Sequence, residues 1–512
     1  MWPSSTPAHR IGSCRSAATA AVLALAALTA PAMAQEAAAA RTVAITPTFS
    51  ASQTYTESRR TSGFSGGEFI TQISPGLRLS SRSGRVQGSL TYALTAVYYS
   101  EHAESRSFQN ALNAAFSAEA IEKWAYVDAR AAVTQQALSA FGQQTAGDTL
   151  RPNANRTEVA TVSVSPYVRG SLAGLANYEI RLNAGATNAR DSVASDSTNT
   201  STSVVLSSAR PRAVFGWALS GSRQRVDFRA GRATDTDRVN AALTAAPNPD
   251  LQLSLNGGKE STNVGGIARR SYDNWGWGAR WTPTSRTNIG LQSDHRYFGN
   301  SHSFVFEHRM PRSVWRFSDS RNATSGSDPS GVGQPITLYQ LFFALYASLY
   351  PDPILREQFV LDLLRRGGGN PNAIISGGLL TSAVTLQRRQ DLSFVLLGLR
   401  DTLSLQAYTT ESRLLDNPNN TPDDGPVRLL GATGTLSHRL TPVSSISLTG
   451  TRQKTLGTLT RRGNDLKSLA LGWSGQLSRH ASTALGARYT VFNGNTDAYR
   501  EASVTASISL QF

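Results

Sequence analysis

The chain is poor in the residues that build covalent or thiolate sites. Its 512 residues include one cysteine, Cys14, and three methionines. Cys14 precedes the first apolar run, inside a segment that we expect to be removed, so it is not placed for lipidation and the mature chain is expected to have no thiol. Disulfide bonds, thiolate zinc sites and cysteine nucleophiles are therefore excluded for the mature chain.

Long apolar runs are also missing. Beyond residue 34, no apolar run reaches the roughly 18 residues that a membrane-spanning helix needs. The mean hydropathy is slightly negative, −0.26, as is typical when alternate residues face water. A membrane protein of this composition must therefore cross the bilayer with β-strands.

The first 34 residues have the features of an export signal. Arg10 and Arg15 form a positively charged start, residues 17–29 form an uncharged run, and residues 32–34 form an Ala-Met-Ala cleavage site. We predict a Sec-type signal peptide over residues 1–34. The mature chain, residues 35–512, is then expected in the outer membrane of a Gram-negative bacterium.

The last eleven residues alternate strictly between apolar and polar side chains. Ile508, Leu510 and Phe512 fall on one face of an extended strand, and Ser507, Ser509 and Gln511 on the other. An aromatic residue that ends an alternating strand is typical of outer-membrane barrels. We predict that Ile508, Leu510 and Phe512 form the signal that the barrel-assembly machinery reads.

Strand-like segments recur from residue 42 onward, and their connections alternate between short and long. Short connections occur, for example, at residues 120–123, 283–286 and 439–444, whereas residues 139–155, 189–201 and 414–426 are long and polar. Short periplasmic turns and long outer loops give this pattern in an antiparallel barrel. We predict an all-β fold, a single transmembrane barrel of about 22 strands, with a range of roughly 18 to 24.

The chain is basic, with a formal charge of +15 that loss of Arg10 and Arg15 lowers to +13. Such an excess favours anionic partners. For an exported chain without a recognition motif, nucleic acid is excluded. The expected partners are outer-membrane lipid and lipopolysaccharide, the assembly machinery, an anionic polysaccharide, and periplasmic export components.

Several arginines lie opposite the face that alternation assigns to lipid. An arginine facing lipid at mid-bilayer would cost roughly 2 to 4 kcal/mol, so these side chains are expected in the lumen. They would either give an electropositive conduit or be neutralised by acids such as Asp128, Glu179 and Asp294. The candidates are Arg130, Arg169, Arg181, Arg280, Arg296 and Arg488.

Residues 337–366 depart from the strand pattern, because their apolar positions recur at helical spacing on both sides of Pro351-Asp352-Pro353. We predict a helical hairpin within an outer-loop insert, residues 321–376, with flexible flanks at residues 325–334 and 367–372. Its apolar face must be covered, so it either plugs the lumen or caps the mouth. The candidate gate residues are Leu341, Phe342, Leu345, Pro351, Asp352, Pro353 and Phe359.

No catalytic, cofactor or metal site emerges. His480-Ala481-Ser482 falls in an expected periplasmic turn, and a surface turn is the better interpretation. Asp294 and His295 are neighbours on a strand and point to opposite faces, so they form no dyad. We predict that the protein is not an enzyme and binds neither cofactor nor metal.

The chain resembles the PEP-CTERM system-associated outer-membrane β-barrel proteins over nearly all of its mature length. The resemblance implies a barrel that takes part in exopolysaccharide export or in surface display of sorted proteins, and it transfers no functional residue. The alternatives are a passive or substrate-specific uptake porin and a non-conducting structural or assembly factor. The matching motifs are Thr54-Tyr55-Thr56, Thr71-Gln72-Ile73-Ser74-Pro75-Gly76, Gln135-Gln136, Phe141-Gly142, Ser165-Pro166-Tyr167, Tyr178-Glu179-Ile180-Arg181, Tyr297-Phe298-Gly299, His308-Arg309, Trp315 and Pro351-Asp352-Pro353.

Overall fold

Most of the chain beyond residue 42 is described by a computed structural model. The described residues are 43–60, 66–101, 107–145, 155–190, 192–209, 214–324, 336–337, 339, 342–343, 346, 353–366, 374–376, 383–415, 425–494 and 498–512. The predicted signal peptide, both predicted flanks of the insert, and Leu341, Leu345, Pro351 and Asp352 lie outside these residues.

Strands account for nearly all of the described residues. In chain order they are β1 Val43–Arg60, β2 Gly66–Arg82, β3 Val86–Tyr99, β4 Ser107–Ile121, β5 Ala125–Ala137, β6 Arg156–Leu172, β7 Ala176–Ala189, β8 Ser192–Ser208, β9 Phe215–Phe228, β10 Thr234–Asn248, β11 Leu251–Thr262, β12 Arg270–Thr284, β13 Thr287–Arg296, β14 Gly299–Arg309, β15 Ser313–Thr324, β16 Ile336–Thr337, β17 Ile374–Ser376, β18 Thr385–Leu397, β19 Asp401–Leu414, β20 Val427–Thr441, β21 Ser444–Thr455, β22 Asn464–Gln476, β23 Ala481–Asn493 and β24 Tyr499–Gln511. The helix that we label α1 covers Pro353–Arg366.

The sheet is closed and has 22 strands. Consecutive strands pair antiparallel, β15 pairs with β18 across the insert, and β1 pairs with β24 from Thr48↔Gln511 to Arg60↔Tyr499. This last pairing removes the free edges that an open sheet would expose. The predicted antiparallel transmembrane barrel of about 22 strands is confirmed.

Short turns gather at one end of the barrel and longer connections at the other. The turn between β6 and β7 is tight because Ala173 and Gly174 both adopt left-handed backbone angles, with φ of 47° and 69°. One predicted long connection, residues 189–201, is wrong, because β8 already begins at Ser192. Its serines and threonines resemble a loop in composition, yet they pair with β7 and β9.

The two faces of the barrel differ as the alternation predicts. Trp275, Trp277 and Trp281 point outward and remain 42–60% exposed, since no protein covers that face. Luminal threonines bond to each other across strands, for example Thr54 to Thr505 at 2.9 Å. An apolar exterior and a polar interior define a barrel of the transmembrane type. None of the described helices is both long enough and apolar enough to span a membrane.

A small separate ribbon formed by β16 and β17 pairs Ile336 with Ser376. It joins the two chain segments that lead into and out of the insert. Because β15 continues to Thr324, the segment between the barrel strands starts after that residue, four residues later than the predicted start at Arg321.

Candidate pore and its helical insert

The arginines predicted to line the pore all lie on the luminal face of their strands. Arg181 stands between outward-facing Ile180 and Leu182, and Arg280 precedes outward-facing Trp281. Period-two geometry therefore turns both guanidinium groups inward. The same relation holds for the other four arginines, Arg130, Arg169, Arg296 and Arg488.

Two of these arginines stack on tyrosines near the short-turn end of β5, β6 and β7. The rings of Tyr126 and Tyr167 are stacked with centroids 5.1 Å apart. Arg169 lies 4.4 Å from the centroid of Tyr126, and Arg181 lies 3.8 Å from the centroid of Tyr167. We call these four residues the Arg-Tyr ladder. It offers aromatic faces and cationic groups side by side on the lumen wall.

Acids neutralise part of the ladder. The Nη1 atom of Arg181 donates to Asp128 Oδ2 at 2.8 Å, and its Nε atom donates to Glu179 Oε1 at 3.0 Å. Arg169 and Arg130 both remain exposed to the lumen. Both alternatives for the lining therefore occur, since Arg181 is compensated while its neighbours present positive charge.

Arg296 belongs to a closed network. Its Nε atom donates to Glu260 Oε2 at 3.1 Å, and its Nη1 atom donates to Asn322 Oδ1 at 2.9 Å. The Glu260 side chain is fully buried and that of Arg296 is 15% exposed. Because their charges compensate each other and their hydrogen bonds are satisfied, Arg296 and Glu260 connect neighbouring strands. They present little net charge to a solute in the lumen.

The helical insert packs inside the barrel close to the short-turn end. Val314 on β15 faces Val395 on β18 in register. Both point inward, because the rings of their neighbours Trp315 and Phe394 meet outside the barrel at a tilt, with centroids 4.2 Å apart. Val360 and Leu364 of α1 form a buried cluster with this valine pair. The buried cluster also contains two aromatic residues of the first half of the insert, Phe342 and Tyr346.

Aromatic contacts join the two halves of the insert. The rings of Tyr346 and Phe359 meet edge to face with centroids 4.9 Å apart, and the guanidinium of Arg356 lies 4.0 Å from the centroid of Phe343. Of the candidate gate residues, Phe342 and Phe359 are thus part of, or packed against, the buried cluster. Pro353 begins α1, as its fixed φ and missing N–H favour.

The other side of α1 meets a different part of the wall. Glu357 accepts a hydrogen bond from Ser89 on β3 and interacts electrostatically with Arg78 and Arg82 of β2. Burial raises the pKa of the Glu357 carboxyl, while the hydrogen bond and the two arginines act in the opposite direction. The helix α1 has 14 residues and is about 21 Å long. It contacts two parts of the wall that are separated in the sheet, β15 with β18 and β2 with β3.

A second segment crosses the barrel near its other end, and sequence reasoning missed it. The loop after β5, which we call the crossing loop, comprises residues 138–145. The carbonyl oxygen of Ala140 accepts hydrogen bonds from Thr455 Oγ1 and Asn464 Nδ2, both at 2.9 Å. Tyr499 donates its hydroxyl to the carbonyl of Gln144 at 2.9 Å.

The crossing loop is shaped by its own polar contacts. Asn155 Nδ2 donates to the carbonyl oxygens of Ser139 and Gln143, at 2.8 and 3.1 Å. A Cβ on Gly142 would lie 2.4 Å from Asn155 Cγ, so only glycine fits there. The Phe141-Gly142 pair was the available signal in the sequence, but its partners on β21, β22 and β24 are distant in the chain.

The histidine and aspartate side chains that were considered as catalytic residues make structural contacts instead. His480 Nδ1 lies 3.1 Å from the backbone oxygen of Gln511, and Asp294 accepts hydrogen bonds from Asn256 and Gln292. His295 stacks against Trp275 on the outer face, opposite to Asp294. Within the described ranges, no three acidic, histidine or cysteine side chains converge as metal ligands.

Comparison with known proteins places the chain in no family. No protein-family model and no curated protein matches it. Among solved structures, the FrpB iron transporter of Neisseria meningitidis is 9% identical to this chain, with a TM-score of 0.47. The match covers 91% of this chain and 82% of the FrpB chain. For the ferric-catecholate import receptor Fiu of E. coli the identity is 8%, the TM-score 0.44, and the coverage 90% and 81%.

A mutant of the ferric enterobactin receptor PfeA of Pseudomonas aeruginosa is 10% identical, with a TM-score of 0.42 and coverage of 91% and 80%. Similarities at this level carry no argument about the cargo of the present chain.

Proposed function

We propose that the protein is an outer-membrane channel whose lumen is closed by the helical insert. The observation that carries this proposal is the buried cluster in which Val360 and Leu364 pack on Val314 and Val395 of the inner wall. A helix held on one wall by apolar contacts and on the other by Glu357 blocks the short-turn end of the lumen. Its release would open a path.

The proposed cargo is an anionic polysaccharide moving outward. Exposed Arg130, Arg169 and Arg280 supply positive charge to the lumen, and the Arg-Tyr ladder supplies flat aromatic faces. Sugar rings stack on aromatic faces, and carboxylate or phosphate substituents pair with guanidinium groups. The formal charge, +15 for the full chain and +13 without Arg10 and Arg15, and the resemblance to the PEP-CTERM system-associated barrels support the same cargo class and an export role.

One observation favours a second candidate, a non-conducting structural or assembly factor. The crossing loop and the insert occupy the lumen near its two ends, and each is held by several contacts. A channel needs at least one of them to move. An uptake porin is the remaining alternative, and it requires the lumen to be open without a trigger.

The experiment compares the native protein with a variant that lacks residues 337–366 in planar bilayers. A plugged channel is expected to conduct weakly in native form and strongly after the deletion. Heat-modifiable mobility on gels verifies that the shortened barrel folds. Equal conductance of both folded proteins would show that the insert does not block the pore. Strong conductance in both would then favour the uptake porin, and no conductance in either would favour the structural factor.

Cargo is tested on the same deletion variant by adding polygalacturonate, an acidic polysaccharide, and dextran, a neutral one. Arg169→Gln is expected to shorten the blocking events of polygalacturonate by up to roughly fivefold, because one exposed guanidinium–carboxylate pair is worth up to about 1 kcal/mol. Tyr489→Ala, on the outer face, serves as the matched control. Equal blocking by the two polymers would overturn the anionic cargo, and surface polysaccharide retained after gene deletion would overturn export.

A further inference from the structure

A row of basic side chains crosses five adjacent strands on the outside of the barrel. Arg452 on β21 lies opposite Lys467 on β22, and Lys467 lies opposite Val491 on β23. Val491 in turn lies opposite Arg500 on β24, which lies opposite Arg59 on β1. We call Arg452, Lys467, Arg500 and Arg59 the basic row.

The basic row faces outward. Arg452 shares its strand face with Leu448, and Lys467 shares its face with Leu469, both exposed apolar residues of the exterior. Arg500 and Arg59 share theirs with Val504 and Tyr55, also exposed. The side chains of Arg59, Arg452 and Lys467 are 84%, 58% and 54% exposed.

The row lies at the border of the apolar exterior, on the side of the long connections. Arg59 is next to the last residue of β1, and Arg500 is the second residue of β24. One step toward the short turns, Leu469, Tyr489 and Ala502 stand side by side in register. Two residues along a strand span about 7 Å, so apolar surface gives way to positive charge over that distance.

Acidic side chains offset only part of this charge. Asp465 contacts both Arg452 and Lys467, at 3.2 and 3.5 Å, and Glu57 lies 3.9 Å from Arg59. Like charges directly opposite each other destabilise a pair of strands. The row nevertheless contains two such pairs, Arg452 with Lys467 and Arg500 with Arg59.

We propose that the basic row binds the phosphate groups of a phosphorylated glycolipid in the outer leaflet of the membrane. The acyl chains of such a lipid lie against the apolar surface around Leu469, Tyr489 and Ala502, and its phosphates lie at the level of the basic row. A phosphate bound between two opposed cations forms an ion pair with each of them and so offsets their mutual repulsion. This site rests on the proposed membrane location and is independent of what passes through the pore.

The test measures binding of lipid A, and of lipid A freed of its phosphates, to the purified full-length protein in detergent by native mass spectrometry. The paired variant Arg59→Gln with Arg500→Gln is expected to lose about 25-fold in affinity for lipid A, or about fivefold per charge. Arg59→Lys with Arg500→Lys keeps the charge and is expected to bind within a few fold of the native protein. The dephosphorylated lipid should bind the native protein as weakly as the glutamine variant binds lipid A.

Arg223→Gln with Arg225→Gln is the matched control. These arginines also lie on the exterior, but Asp237 and Asp227 accompany them at 3.7 and 3.0 Å, so binding should not change. Equal affinity for the two lipid forms would overturn the proposal, and so would equal binding by the native and glutamine variants. Competition by inorganic pyrophosphate without lipid preference would assign the row to a free anion instead.

Native protein recovered as a soluble, non-heat-modifiable species would defeat the membrane location itself. Since every lipid measurement uses protein first shown to be heat-modifiable, the two failures are distinguishable.

Discussion

The hydroxyl of Thr455 on β21 donates a hydrogen bond to the carbonyl oxygen of Ala140 at 2.9 Å, although the two residues are 315 positions apart. Asn464 on β22 donates to the same oxygen. Because both donors line the inner wall, the crossing loop must run across the interior to reach them. The barrel thus has a constriction near its long-connection end as well as the insert near its short-turn end.

Removing both donors should release the crossing loop. Thr455→Val with Asn464→Leu leaves the carbonyl of Ala140 without these partners, which costs about 1 to 3 kcal/mol for a buried acceptor. We expect amide hydrogen exchange to accelerate over residues 139–144. Ser468→Ala removes a luminal hydroxyl that contacts Thr490 and is the control. Unchanged exchange in the double variant would mean that other contacts hold the loop.

Truncating the apolar contact of α1 should loosen the insert but not the barrel. Leu364 is 3% exposed and packs in the cluster with Val314 and Val395, so Leu364→Ala is expected to weaken docking by about 2 to 4 kcal/mol. Channel conductance should rise while heat-modifiable mobility stays native. Leu355→Ala changes an exposed position of the same helix and should change conductance little. Equal effects of the two substitutions would argue against docking through this cluster.

Docking of α1 should depend on pH through Glu357. Burial raises the pKa of this carboxyl above its ordinary 4.5, so the docked state binds the proton more tightly than the released state. Docking therefore strengthens as pH falls from the raised value toward 4.5 and weakens as pH rises through that interval. We expect open probability in planar bilayers to increase from pH 4.5 to pH 7.

Glu357→Gln should remove this pH dependence, because a neutral amide does not titrate. The charged or titratable groups around position 357 are Arg78, Arg82, Arg356 and Tyr339. Glu57→Gln, on the outer face, controls for a general change in charge. A pH response that persists unchanged in Glu357→Gln would assign the titration to another group.

The assembly signal is tested at the last strand. Phe512 donates its backbone N–H to Pro47 at 3.0 Å, and its exposed side chain completes the outward row of Ile508 and Leu510. We expect Phe512→Lys to lower the amount of folded barrel in the membrane fraction more than Gln511→Lys, whose side chain belongs to the luminal face. Equal amounts of the two variants by quantitative immunoblot would refute the signal.

Sequence patterning predicted the barrel well because each strand reports its own environment. The alternation of apolar and polar residues in β24, or around Trp275 in β12, can be recognised without knowing which strands pair. The short turns mark the position of each hairpin. The two-residue link between β7 and β8 escaped prediction because polar residues such as Ser197 and Asn199, which are buried on the luminal face, suit both a loop and a luminal strand face. Helical spacing predicted α1, since residues 353–366 form that helix.

By itself, the sequence determined the strand number, the inward face of arginines such as Arg181, and a helix within one long connection. These follow from periods of two and 3.6, which are local. The tertiary structure alone decided where distant segments meet: Leu364 against Val395, Glu357 beside Ser89, Ala140 against Thr455, and Arg500 opposite Arg59. Such contacts depend on closure and register of the whole sheet, which no single segment encodes.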